Sequence, residues 1–143
     1  PVKKDVSLAT FLSSIATLYP ELTWRIDVPS TLIWQADEDM LRQVFINLVK
    51  NAIEADAKTI GIDWESKADA SSVGRLYVSN NGRTIPDEVV REIFIPFFTT
   101  KSSGSGIGLS LSRQILLRQG LLLSLKERPL RNYNVSFVID KDC

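Results

Sequence analysis

Between Asp37 and about Ala57 the sequence describes one long helix with a broad apolar face, enough to bury most of it. At roughly 100° per residue, Leu41, Val44, Phe45, Leu48, Ala52 and Ala55 share one face, and Ile46, Val49 and Ile53 widen it. So much apolar surface has to be buried, so the chain must supply a second layer to cover it. Asp37 is placed to cap the first turn, where Glu38 and Asp39 also suit the positive end of the helix dipole. One wedge breaks the apolar surface: Gln43, Asn47, Lys50, Asn51 and Glu54. Asn47 and Asn51 are four apart and stack on one side. Asparagine is a poor mid-helix residue because its amide competes for backbone partners, so two of them on a buried helix need a partner that is not backbone. Two partners fit. One is a loop packed against a polar seam; the other is a hard cation such as Mg²⁺, which takes an amide oxygen together with phosphate and water oxygens.

Strand and helix patterns on either side supply the covering layer. The first twenty residues read as a helix, with Val6, Leu8, Phe11, Leu12, Ile15, Leu18 and Tyr19 near helical spacing and Pro20 as its stop. Leu22, Trp24, Ile26 and Val28 alternate with polar residues as in a half-buried strand, and Thr31 to Gln35 offers a second short one. Strands are also expected at Thr59–Glu65 and Arg75–Asn80, joined by an exposed, mobile hairpin loop over Ser66–Gly74. Pro86 opens a short helix through Ile93, another helix runs from near Gly106 to near Gly120, and Leu121–Lys126 and Tyr133–Ile139 close the chain as a strand pair. The expectation is a single α+β domain over residues 1–143, with a largely antiparallel or mixed sheet.

Composition removes several function classes. Seventeen basic residues balance seventeen acidic ones, so the net basic surface that meets nucleic acid or an anionic membrane is missing. No apolar run is long enough to span a bilayer. The only cysteine, Cys143, excludes an internal disulfide framework and suits a reducing, cytoplasmic compartment. Histidine is absent, so no residue here is a histidine base, a histidine metal ligand or a phosphohistidine.

Two further clusters carry chemistry. Ser102 to Leu109 reads SSGSGIGL, and Gly104, Gly106 and Gly108 let the backbone approach a ligand closely. A helix follows at once, so its first N–H groups and positive end face the loop, and Lys101 adds a charge just upstream. This is a phosphate cradle in outline; neither the P-loop nor the dinucleotide-binding spacing is present. In the other cluster, Val78 to Gly82, Leu76, Val78 and Asn80 share one strand face, so Asn80 turns inward where the strand ends. A buried amide there suits a nucleobase edge, while Asn81-Gly82 reads as a turn. Phe94, Phe97 and Phe98 read as core residues presented by Pro96.

Taken in order, these pieces resemble the nucleotide-binding domain of the gyrase, chaperone, histidine-kinase and MutL superfamily, and within it the bacterial sensor histidine kinases. Asn47-Leu-Val-Lys-Asn51-Ala is similar to their N box, and Val78 to Gly82 to the first glycine box. Phe94-Ile-Pro96-Phe97-Phe98-Thr-Thr-Lys101 is very like the F box of nitrogen-regulation-type kinases, and Gly104-Ser-Gly106-Ile-Gly108-Leu is similar to the second glycine box. The resemblance implies a Bergerat fold, a two-layer sandwich whose mixed sheet is covered on one face by about three helices, with ATP between the helices and a lid. It implies that Asn51 binds the Mg²⁺ bridging the phosphates with Asn47 beside it, and that Asn80 accepts from the adenine amino group. It further implies that Gly82 lets the chain pass close to the base, and that Thr99, Thr100, Lys101, Gly104, Ser105 and Gly106 form the ATP lid. Ile107, Gly108 and Leu109 then lead into the helix near the phosphates.

Four departures from the family pattern stand out. Asn80 replaces an aspartate, Arg83-Thr84 replaces Pro-Gly, Glu54-Ala55 replaces a lysine and a histidine or tyrosine, and Asn134-Val-Ser-Phe137 replaces G-T-x-F. The implied activity is transfer of the γ-phosphoryl of Mg·ATP to a histidine on separate dimerisation helices, and onward to a response regulator, with no nucleic acid or membrane contact by this domain. Asn47 also stands where the ATP-hydrolysing relatives have a glutamate, which implies poor hydrolysis. Two other readings stay open: a degenerate docking or regulatory module, for which Asn80, Arg83-Thr84 and Glu54 speak, and a serine kinase of the anti-sigma-factor type.

Overall fold

The computed structural model describes residues 2–67, 73–96, 98 and 108–142. The described elements are β1 (Lys4–Ser7), α1 (Leu8–Leu18), β2 (Thr23–Asp27), β3 (Ile33–Ala36), α2 (Glu38–Glu54), β4 (Thr59–Ser66), β5 (Gly74–Asn80), α3 (Gly108–Arg118), β6 (Leu121–Leu125) and β7 (Val135–Lys141), with a 3₁₀ turn at Val90–Glu92. Five strands form a mixed sheet in the order β2-β4-β5-β7-β6. β2 and β4 run parallel and the other neighbours antiparallel. This is the expected α+β sandwich of helices on a mixed sheet.

α2 forms as its sequence pattern requires. The Asp37 carboxylate accepts from the Met40 N–H at 3.1 Å, closing the first turn. That bond, together with one from the Val2 N–H, holds the Asp37 carboxyl below the ordinary carboxylate range. Leu41, Val44, Phe45, Leu48, Val49 and Ala52 are buried, whereas Gln43, Lys50 and Glu54 of the wedge are exposed and Asn47 and Asn51 half-buried. Ile62, Val78 and Phe137 lie side by side on the sheet beneath, as do Leu76, Ile139 and Leu123. Phe11 of α1 and Leu116 of α3 complete this core. Each large side chain buried there contributes about 1.5–3 kcal/mol, and Leu48→Ala would cost about 2–5 kcal/mol because the cavity cannot fully collapse.

The chain's opening departs from expectation. Lys4–Ser7 is a strand, paired antiparallel with β3 so that Val6 lies opposite Trp34. Val6 and Leu8 are two apart, a strand spacing, and helical spacing starts only at Leu8. β3 itself begins at Ile33, after a turn closed by the Leu32 N–H on the Pro29 carbonyl. The short helix expected over 86–93 reduces to the turn at Val90–Glu92, none of whose residues is buried; a segment this short needs packing to stay helical. α3 is described from Gly108, so its expected start at Gly106 and most of the loop between β4 and β5 lie outside the described residues.

The sheet's other face is crossed by the segment between β6 and β7. Gly61, Ser79 and Ser136 lie in register and form a trough of small residues. Into it fold the Leu130 N–H, which donates to Ser136 Oγ at 2.9 Å, and Tyr133, whose ring a Cβ on Gly61 would strike. Arg25 on the edge strand β2 donates to the Tyr133 hydroxyl and grips Asp63 through two 2.8 Å bonds, which raise its pKa further. Tyr133 is therefore a turn residue here, and β7 starts two residues later than its alternating pattern suggests. This anchored segment delivers Asn134 to the candidate site.

Candidate nucleotide site

The polar wedge of α2 faces the first turn of α3. Asn47 Nδ2 donates to the buried Ser112 Oγ at 3.3 Å, and a Cβ on Gly108 would lie 3.9 Å from Asn47 Cγ. With its N–H₂ end held by Ser112, Asn47 offers Oδ1 on the other edge of its amide. Asn51 lies one turn further along, half-buried on the same side. Leu109, half-buried, packs against the core from α3, and Arg113 of the same helix stacks over the Phe94 ring at 4.5 Å. Phe94 and Phe98 are core-packed as expected.

At the far end of α2 sits the Val78–Gly82 box. Asn80 is buried at the end of β5, and its Oδ1 accepts from the Gly82 N–H at 2.8 Å. The oxygen expected to meet an adenine amino group therefore already has a partner within the box. Gly82 has an ordinary negative-φ backbone, as does Asn81, so the two do not form the left-handed turn that Asn-Gly suggests. Gly82 is needed for space: a Cβ would lie 2.8 Å from the Ala55 carbonyl oxygen. Asn81 works elsewhere, its side-chain oxygen accepting from the Lys58 and Thr59 N–H groups where β4 begins.

Two residues that looked like losses from the family pattern turn out to hold the box. The Arg83 N–H donates to the Ala55 carbonyl at 2.8 Å, its Nη2 to the Glu54 carbonyl at 2.9 Å, and its guanidinium pairs with Asp56. A cation at the carboxyl end of α2 also answers the helix dipole. Asn134 contacts three consecutive carbonyls: its N–H donates to Asn80, and its Nδ2 to Asn81 and Gly82. Nothing in local patterning points to this clamp, because the partners lie more than fifty residues apart. The break at Asn134 in an otherwise apolar strand opening was the one available signal.

Asn47, Asn51, Asn80, Gly82, Gly108 and Leu109 are thus distributed along the carboxyl half of one helix and the elements at its two ends. Thr99, Thr100, Lys101, Gly104, Ser105, Gly106 and Ile107 lie outside the described residues. Among the described residues no three His, Cys, Asp or Glu side chains converge on a metal position. The wedge instead offers neutral amide oxygens, which fit a hard cation that brings most of its oxygen ligands as phosphate and water. No helix among the described residues is long and apolar enough to cross a membrane.

Comparison with known proteins agrees with this arrangement. Residues 36–142 match the family model described as histidine kinase-, DNA gyrase B- and HSP90-like ATPase. The chain is 36% identical over 92 residues to sensor histidine kinase ZraS of Salmonella typhimurium, covering 64% of this chain and 20% of that protein. It is 41% identical over 80 residues to sporulation kinase C of Bacillus subtilis, covering 56% and 18%. It therefore spans about a fifth of the length of these relatives. The solved catalytic domain of histidine kinase ThkA superposes with a TM-score of 0.82 at 30% identity, covering 99% of this chain and 96% of that one. The chain belongs to the family of histidine kinase-, DNA gyrase B- and HSP90-like ATPases, with sensor histidine kinases as its relatives.

Proposed function

We propose that this chain is the single ATP-binding catalytic domain of a two-component sensor histidine kinase of the nitrogen-regulation-like subtype, presenting the γ-phosphoryl of Mg·ATP to a histidine on separate dimerisation helices. One observation carries the reading: α2 meets the first turn of α3 at Asn47 and, just past its last turn, the Asn80–Gly82 box at Ala55. Asn47 to Ala55 spans eight residues, about 12 Å of helix axis, so phosphates at one end and a base at the other can share one groove. Asn51 would hold Mg²⁺, with Asn47 beside it. When bound, Mg²⁺ neutralises phosphate charge during transfer. The α3 amino end, with Gly108 and Leu109, would receive phosphate oxygens on its first N–H groups. Thr99 to Gly106 would close over the nucleotide as a lid. The chain has no histidine, so the phosphoacceptor must come from elsewhere. The relative ThkA has been solved with the response regulator TrrA, which supports a regulator as the eventual acceptor here.

A second reading, a docking module with weakened nucleotide binding, is favoured by the commitment of Asn80 Oδ1 to the Gly82 N–H. Titration of ATP in Mg²⁺ and in chelator separates the two. The kinase reading expects Mg²⁺-dependent binding that falls more than about ten-fold in Asn51→Ala, a loss of roughly 1.4 kcal/mol, with the fold retained. Unchanged affinity in that variant removes Asn51 from the site, and no binding at millimolar ATP favours the docking module.

A further inference from the structure

The Gly82 N–H can only donate, so the atom of Asn80 that faces it at 2.8 Å must be the acceptor Oδ1. This fixes the amide: a flip would set donor against donor inside a residue that is only 6% exposed. A Cβ on Gly82 would lie 3.0 Å from the same oxygen, so glycine at this position is what leaves the oxygen its place beside the Gly82 N–H. Asn134 locks the frame, since it holds the carbonyls of Asn80, Asn81 and Gly82 together. Oδ1 keeps one further lone pair, and the other edge of the amide, Nδ2, offers two N–H donors.

A carboxylate in this place would keep a second acceptor oxygen after meeting the Gly82 N–H, and that oxygen would match a 6-amino purine. The carboxamide reverses the match. Its donor edge opposes the donor amino group of adenine and complements the acceptor O6 of hypoxanthine or guanine. We propose that Asn80 is a specificity-determining residue that makes the site take 6-keto purine nucleoside triphosphates at least as tightly as ATP. This rests on the reading of Asn80 as the residue that meets the base. It also gives the departure from aspartate a consequence other than lost binding.

The test is to titrate the chain and its Asn80→Asp variant with the Mg²⁺ complexes of ATP, ITP and GTP. Hypoxanthine differs from adenine only at position 6 and in the N1 proton, so ITP reads the inversion, and GTP adds the 2-amino group. Aspartate can still accept from the Gly82 N–H, so the box keeps its turn. The wild-type chain should bind ITP at least as tightly as ATP, and Asn80→Asp should shift the ratio toward ATP by about ten- to a hundred-fold. A wild-type preference for ATP over ITP, or a ratio unchanged by Asn80→Asp, overturns the selectivity while leaving the site in place. Binding of ATP by the variant, with no binding of any of the three by the wild-type chain, also overturns it. Failure of both proteins to bind any of the three overturns the nucleotide-site reading and this inference with it.

Discussion

Replacing Gly82 by alanine separates crowding from backbone strain. Gly82 does not sit at positive φ, so alanine brings no left-handed strain, only a methyl group. That methyl would lie 2.8 Å from the Ala55 carbonyl oxygen and 3.0 Å from both Ala55 Cβ and Asn80 Oδ1. Reaching ordinary contact means moving the strand end or the helix end by about half an ångström, since carbon contacts settle at about 3.5 Å or beyond. The Arg83 N–H to Ala55 bond of 2.8 Å sits at the same place and stretches with that movement. Overpacking of this kind costs typically 1–3 kcal/mol, and a weakened hydrogen bond about 0.5–1.5 kcal/mol; because one movement serves both, we expect about 2 kcal/mol in total. At about 2–4 °C per kcal/mol for a domain near this size, the midpoint should fall by about 4–8 °C. Nucleotide affinity should fall too, because Asn80 Oδ1 is among the atoms displaced. Gly120→Ala is the control. Gly120 has φ of 76° with open space around it, so alanine there costs about 1–2 kcal/mol of left-handed strain and leaves nucleotide affinity unchanged. Denaturant unfolding and nucleotide titration of both variants measure this. A Gly82→Ala chain within about 0.5 kcal/mol of wild type, the ordinary scatter of surface substitutions, would refute the crowding argument.

Three further outcomes follow from the same geometry. The Asp37 carboxyl is held low in the folded chain, so its contribution is complete above the ordinary carboxylate pKa of about 4 and is lost as pH falls through the lower folded value. Asp37→Asn keeps the bond from the Met40 N–H but loses the charge and the oxygen that meets the Val2 N–H, so the variant should be less stable than wild type at neutral pH and show a flatter stability profile in acid unfolding. Arg83→Ala should cost only about 0–1 kcal/mol of stability, as expected for an exposed ion pair, while increasing amide exchange at Asn81 and Gly82; unchanged exchange there would deny Arg83 its anchoring role. Phosphate release from Mg·ATP should be slow, because the Asn47 amide cannot take a proton, and faster in Asn47→Glu. Removing a general base typically costs about 10²–10⁴-fold, and several turnovers per second by the unmutated chain would contradict the assignment.

Local patterning and long-range contact divide what could be read from the sequence. α2 was legible because its cap, dipole-matched first turn and buried stripe are all local to residues 37–54. β4 and β5 were placed within a residue of their ends, since turn-rich segments bound them. The candidate site was legible only as an order of motifs; the folded chain sets Asn47 against α3 and Asn80 Oδ1 on the Gly82 N–H. β1 was missed because its identity as a strand comes from β3, nearly thirty residues on. The side-chain role of Asn81 was missed because it is recruited by the start of β4, a partner invisible to a turn rule. Arg83 and Asn134 read as losses because pattern comparison scores what is absent, whereas their contacts to the end of α2 and to three carbonyls exist only in the folded chain.

Amide resonance shifts mapped during titration with a non-hydrolysable Mg·ATP analogue show most directly where the nucleotide binds. Saturable changes are expected at Asn47, Asn51, Asn80 to Gly82, Gly108 and Leu109, with Arg25, Asp63 and Tyr77 on the other side of the sheet unmoved. Changes centred on that opposite face, or none at Asn51 and Gly108 at saturation, would contradict the proposed site.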